Sequence, residues 1–192
     1  MALFKISTDS SAISSSKGSS FISKSGIYDV VINYASVDAS SDKSSKAESV
    51  NFNLNYNGND IVIYGPYITD RQGNGIESSM KLINQLGIIA GMGDGDDFVM
   101  ESETHNVGKD NQPRDFNVIT NFSDLPVKVR IQMEYSINEK TNEISERKVI
   151  KSFFNEDGAT AEEIFNNVDH GKRLAWEAAN VADNVTYKDG LT

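Results

Sequence analysis

A chain of 192 residues, 38% of them hydrophobic and 24% charged, can bury one substantial core but is short for two full domains. With no cysteine and two histidines, it excludes disulfide frameworks, thiolate metal sites and cysteine nucleophiles, and leaves zinc or Ser-His-Asp chemistry little to work with. A formal net charge of −10 argues against nonspecific coating of duplex DNA, which needs basic surface to displace counterions, but leaves room for binding through a local basic groove and aromatic rings. No run of about 18 apolar residues is present to span a membrane. The opening MALFKISTDSS lacks the apolar centre of a signal peptide, so a soluble intracellular protein is expected.

Residues 7–25, STDSSAISSSKGSSFISKS, are dominated by serine, with Lys17 and Lys24. Such a composition buries too little apolar surface to offset ordering entropy, and a flexible arm over 1–25 is expected, either without a role or ordering on a partner. Ile27 to Val37 is rich in the β-branched and aromatic residues that suit a strand, with Tyr28, Val30, Ile32 and Tyr34 on one face. Residues 38–46 read as a loop. Val50, Phe52, Leu54 and Tyr56 then alternate with Asn51, Asn53 and Asn55, and Asn57-Gly58 supplies the turn into Ile61 to Tyr64, which Gly65-Pro66 ends.

From Glu77, the residues Met80, Ile83 and Leu86 recur at helical spacing with Leu82 widening the stripe, giving about three turns that end near Gly87 or Gly91. Gly91 to Asp97 admits no regular structure. Asp94, Asp96, Asp97, Glu101, Glu103 and His105 make an acidic cluster, but its spacing is not that of an EF-hand loop, and solvated carboxylates are the plainer reading. No metal or cofactor is therefore assigned. The glycines lack the Gly-Lys-Ser/Thr ending of a phosphate loop, and no phosphate-clamping arginine lies near the cluster in sequence, so no catalytic residue is assigned either. Asn106 to Asp115 reads as a long loop with Lys109 and Arg114 at its tip, and Phe116 to Phe122 as a short strand.

Pro126 to Phe154 carries the clearest pattern. Val127, Val129, Ile131, Met133, Tyr135 and Ile137 alternate with Lys128, Arg130, Gln132, Glu134 and Ser136, the period of a half-buried strand. Polar residues 138–143 form a turn, and Ile144 to Phe154 returns as the second arm of a long hairpin. Its outer side gathers Lys128, Arg130, Arg147, Lys148 and Lys151. Thr160 and Glu163 have capping-box spacing and open a helix with Ile164, Phe165 and Val168 on its apolar side. Leu174, Ala178 and Val181 continue a stripe beyond Gly171, with Trp176 as a packing anchor. Residues 188–192 show no terminating element, the pattern of a loose or truncated end.

This order gives an α+β, β-rich fold: a curled or barrel-like antiparallel sheet with one internal helix and C-terminal helices. It divides into a Ser-rich arm (1–25), a β-rich domain (26–157) and a helical extension (158–192).

Gly26 to Ala35 (GIYDVVINYA), the Asn57-Gly58 hairpin, the helix ending in Leu86-Gly87, the strand Lys128 to Ile131 and the stretch Gly158 to Ile164 (GATAEEI) resemble phage-encoded single-stranded DNA-binding proteins over most of residues 26–168. The resemblance implies an OB-like barrel or a variant of it, self-association, and sequence-tolerant binding of single-stranded DNA during replication or transcription in the cytoplasm of an infected bacterial host. It also implies, for some members, recruitment of a phage RNA or DNA polymerase. Phosphate contacts then fall to Lys128, Arg130, Arg147, Lys148, Lys151, Lys109, Arg114, Lys17 and Lys24, and base stacking to Tyr34, Tyr67 and Tyr135. The other reading of the hairpin cations is a solvated face balanced by Glu134, Glu143 and Glu146. Tyr34 and Tyr135 share parity with core residues, which favours burial over stacking. The competing function is that of a phage structural or host-interaction protein acting through protein contacts.

Overall fold

The strand β1 (Gly26–Ala39) is 14 residues long, enough to be shared by different partners along its two edges. In the computed structural model, which describes residues 21–108 and 110–188, β2 (Glu48–Tyr56) pairs antiparallel along one edge of β1 from Val31 to Ala39. On the other edge β6 (Leu125–Asn138) takes Gly26 to Ile32, and β5 (Gln112–Ile119) meets the far end at Ser36. The sheet forks around β1.

A β-bulge between Ile32 and Tyr34 explains what else β1 does. One extra residue reverses the parity of the strand. Val30 and Ile32 face the main core before it and Ala35 and Val37 after it, whereas Tyr34 turns to a separate cluster with Phe116 and Val118. Strict alternation had placed Tyr34 on the face of Ile32, and the bulge overturns that.

Asn57 and Gly58 have φ of 51° and 80°, the paired positive values of a two-residue hairpin turn, and lead into β3 (Asn59–Ile63). The helix α1 (Glu77–Ile89) buries Ile83 and Leu86 and packs on β7 (Ile144–Phe154), while Met80 stays exposed. Residues 106–115, expected as a loop, instead belong to a hairpin of β4 (Met100–Val107) and β5, turning at Gly108 and Asn111. Both faces of its tip meet solvent, so no apolar alternation marked it. β5 ends in a short 3-10 turn, Thr120–Phe122, that buries Phe122.

β6 and β7 form the long central hairpin, with a register shift at Arg130/Ile131. The capping box at Thr160 and Glu163 is present and opens α2 (Ala161–Asn166). Here too the pattern misleads in part: Phe165 is 77% exposed and Val168 and Trp176 are also exposed, while Leu174 and Val181 of the expected stripe are half-buried. After α3 (Lys172–Ala179), the chain adds β8 (Asn184–Lys188), parallel to β6 at Glu134 to Asn138, where no element was expected. The last residues of the serine-rich segment are part of the packed domain. Ile22 is buried in the core, and the Ser25 hydroxyl accepts a hydrogen bond from the Met133 amide.

Among the described residues, the result is a β-rich, mainly antiparallel sheet of eight strands with three helices. Its path β3-β2-β1-β6-β7 curls until Phe52 of β2 and Phe153 of β7 lie 5.5 Å apart across the core. β3 and β7 approach one another without pairing, so the sheet is not closed. Among the described residues, no helix is long and apolar enough to cross a membrane.

Candidate functional site

The cations that the sequence singles out on the central hairpin are mostly paired. Lys128 is paired with Asp29 on the neighbouring strand, Lys148 with Glu146 at 3.2 Å and Lys151 with Glu134 at 3.4 Å. Arg130 is not a free surface group. Its side chain is 18% exposed, its Nη1 donates to Glu177 Oε2 at 3.1 Å, and its Nη2 donates to the Asn180 carbonyl at 3.3 Å. α3 lies over this part of the sheet, so the outward, solvated face that alternation predicts is covered at Arg130.

Glu177 is 3% exposed and accepts from Arg130, from the Ser152 hydroxyl and from Arg173 Nε at 2.7 Å. Burial pushes its carboxyl up, but the hydrogen bonds from Ser152, Arg130 and Arg173 more than offset it and the pKa is lowered. A depressed carboxyl contributes stability above its unfolded-state value and loses it as pH falls through the folded value. Melting temperature should therefore drop on acidification through that window, and the drop should be smaller in Glu177→Gln; equal pH profiles would contradict the pairing.

A second constellation forms where the sheet fails to close. β3 ends at Ile63, and the chain passes Tyr64, Gly65 and Pro66 to Tyr67, which bridges back to Ser49 of β2. Asn51 holds this corner, its side-chain oxygen accepting from the Gly65 amide at 2.8 Å. Gly65 has φ of 88°, and a methyl group built there would lie 3.4 Å from Arg147 Nη2 and 3.8 Å from the Tyr67 amide nitrogen. The guanidinium of β7 thus reaches across the open seam to the corner. Tyr64 is 72% exposed and Tyr67 51%. Among the described residues, Arg147 enters no ion pair.

The corner continues onto the loop between β1 and β2. The Lys46 amide donates to the Arg71 carbonyl, and Thr69 bonds both Lys46 and Glu48, so the exposed Lys46 and Arg71 are held beside Thr69, two residues on from Tyr67. A cleft of about 380 Å³ opens there between Ser40, Ser45, Tyr67, Thr69 and Arg71. Asp42 and Asp70 also line it, and side-chain hydrogen bonds from Ser44 and Asn74 respectively lower their pKa values.

Of the residues nominated from sequence, the structure brings Arg147 and Tyr67 together. Tyr34 is withdrawn from any stacking role: it is 7% exposed and its ring is stacked on His105 at 4.0 Å. Arg114 is exposed beside that cluster, its guanidinium 5.1 Å from the Phe116 ring, three places from β3 in the sheet order. Lys24 is exposed near Asp183. Tyr135 is half-buried on β6. Lys17 and Lys109 lie outside the described residues, as does the arm up to residue 20. Tyr64, Lys46 and Arg71 were not foreseen. Tyr64 carried a signal, since its parity is opposite to that of Ile61 and Ile63 just before a Gly-Pro stop.

Among the described residues, no three His, Asp or Glu side chains gather to hold a metal ion. Comparison with protein-family models, curated proteins and solved structures finds no match for this chain.

Proposed function

We propose that the protein binds single-stranded DNA, without strong sequence choice, along the open seam between β3 and β7. The observation that carries this reading is the corner itself, where two exposed tyrosines flank a backbone turn and an arginine lies against it. Rings of that kind stack on any base, and an adjacent cation tracks the backbone phosphates, which is the sequence-tolerant way to hold a single strand. Lys46 and Arg71 extend the basic track inside an acidic whole.

The strand path supports the same reading by analogy. Three strands in a meander, a helix, and a hairpin returning to the first strand give β3-β2-β1-β6-β7 the order expected of an open variant of the OB barrel, with the β4–β5 hairpin read as an insertion. In OB folds the face of strands 2 and 3 and the loops after strands 1 and 4 bind oligonucleotides; here these are β2–β3, the Lys46 loop and the turn at 139–143. The role is non-catalytic. It belongs to replication or transcription in the cytoplasm of an infected bacterial host, with self-association and recruitment of a phage polymerase as accompanying properties. The outward Phe165, Val168 and Trp176 favour a second reading, in which contact with another protein is the main activity.

Anisotropy titration with oligothymidine and with a duplex of equal length, at two salt concentrations, tests the proposal. Tighter binding of the single strand, weakening with salt, is expected. Equal affinity for both forms, or no binding at low salt, would overturn it.

A further inference from the structure

α3 docks in an unusual way. A surface helix is ordinarily held by a buried apolar stripe, yet the one fully buried residue of α3 is Glu177; Leu174 is half-buried against Gly158, and Ala175, Trp176, Ala178 and Ala179 are exposed. Its carboxylate is gripped from the sheet by Arg130 and Ser152 and from the helix by Arg173. A carboxylate and a phosphodiester offer the same thing to a guanidinium fork, a pair of anionic oxygens.

We propose that Glu177 is a displaceable plug in a second phosphate-binding position on the β6–β7 face, which a nucleic-acid strand occupies when α3 lifts. The proposal rests on the single-strand reading above and adds its regulation. Arg147 at the seam stands opposite Glu134, whose carboxylate holds Lys151, and Lys151 adjoins Ser152. One strand of β7 therefore leads from the seam to the plugged position. A cavity of about 450 Å³ lies at the end of that route, lined by Lys151, Ser152, Arg173 and Glu177 together with Glu162 and Glu163. The helix also has a place to pivot: Gly171, its N-cap, has φ of 94° and nothing within 4 Å of where a side chain would start. With Glu177 in place the position is neutralised; with α3 lifted, Arg130 and Ser152 face the strand.

Glu177→Gln keeps the shape and removes the charge, and Glu77→Gln, on the first turn of α1, is the control for net charge. In the first variant, oligothymidine affinity at low salt should rise roughly tenfold, the scale of one charge-assisted contact. The log-log salt dependence should steepen by about 0.7 per phosphate gained. In the unmodified protein, adding oligothymidine should speed amide exchange across residues 172–180, a readout that needs no variant to fold. Unchanged affinity and slope in Glu177→Gln, with exchange in α3 unchanged or slowed on binding, would overturn the plug and leave the seam reading intact. Failure of both proteins to bind oligothymidine would overturn the two together. Binding by the variant alone would support the plug in its tightest form.

Discussion

Arg130→Glu should destabilise the protein by about 3–5 kcal/mol, the cost of breaking a buried pair by removing one partner, because it sets a second carboxylate against the enclosed Glu177. Alternation alone makes the opposite forecast, since an outward strand position usually tolerates substitution within about ±0.5 kcal/mol. Lys128→Glu is the internal comparison. Its partner Asp29 is solvated, and exposed pairs contribute at most about 1 kcal/mol. Urea titration of the two variants decides between the accounts. Similar small losses would mean that α3 does not cover this face in solution.

Phe52→Ala should cost about 3–5 kcal/mol, the range for deleting a large aromatic from a packed core. Phe52 is fully buried on β2, and its ring lies 5.5 Å from that of Phe153 on β7, three strands away along the sheet. Their contact exists because the sheet curls. A double-mutant cycle with Phe153→Ala should therefore return a coupling of about 0.5–1.5 kcal/mol. Additive losses would argue for a flatter sheet in which the two rings never meet.

How much of this was legible in the sequence follows from where the physics was local. The Asn57-Gly58 hairpin, the helix from Glu77, the Thr160 capping box and the β6–β7 hairpin are each set by neighbours in the chain, and each is present. The bulge before Tyr34 was hidden because it depends on pairing with β2, and one residue of slip reverses everything after it. β8 was hidden because Val185 and Tyr187 are exposed and the strand is held by β6 rather than by its own pattern.

The candidate site divides in the same way. Arg147 and Tyr67 could be nominated by residue type, but only the approach of β7 to the corner at Gly65 makes them neighbours. The burial of Arg130 depends on Glu177, 47 residues away, and no periodicity within β6 records a helix that will lie over it. Charge alternation reads a face correctly and says nothing about what covers it.

The most direct measurement is an oligothymidine titration of the parent beside the variant Tyr64→Ala/Tyr67→Ala/Arg147→Gln, with thermal melting to confirm that both are folded. Base stacking is worth about 1–3 kcal/mol per ring, so the triple variant, which loses two rings, should bind at least roughly thirtyfold more weakly. Its salt slope should fall by about 0.7 for the lost arginine contact, while its melting temperature stays near that of the parent. A folded variant that binds oligothymidine with the parent's affinity and salt slope would contradict the assignment of the seam as the single-strand site.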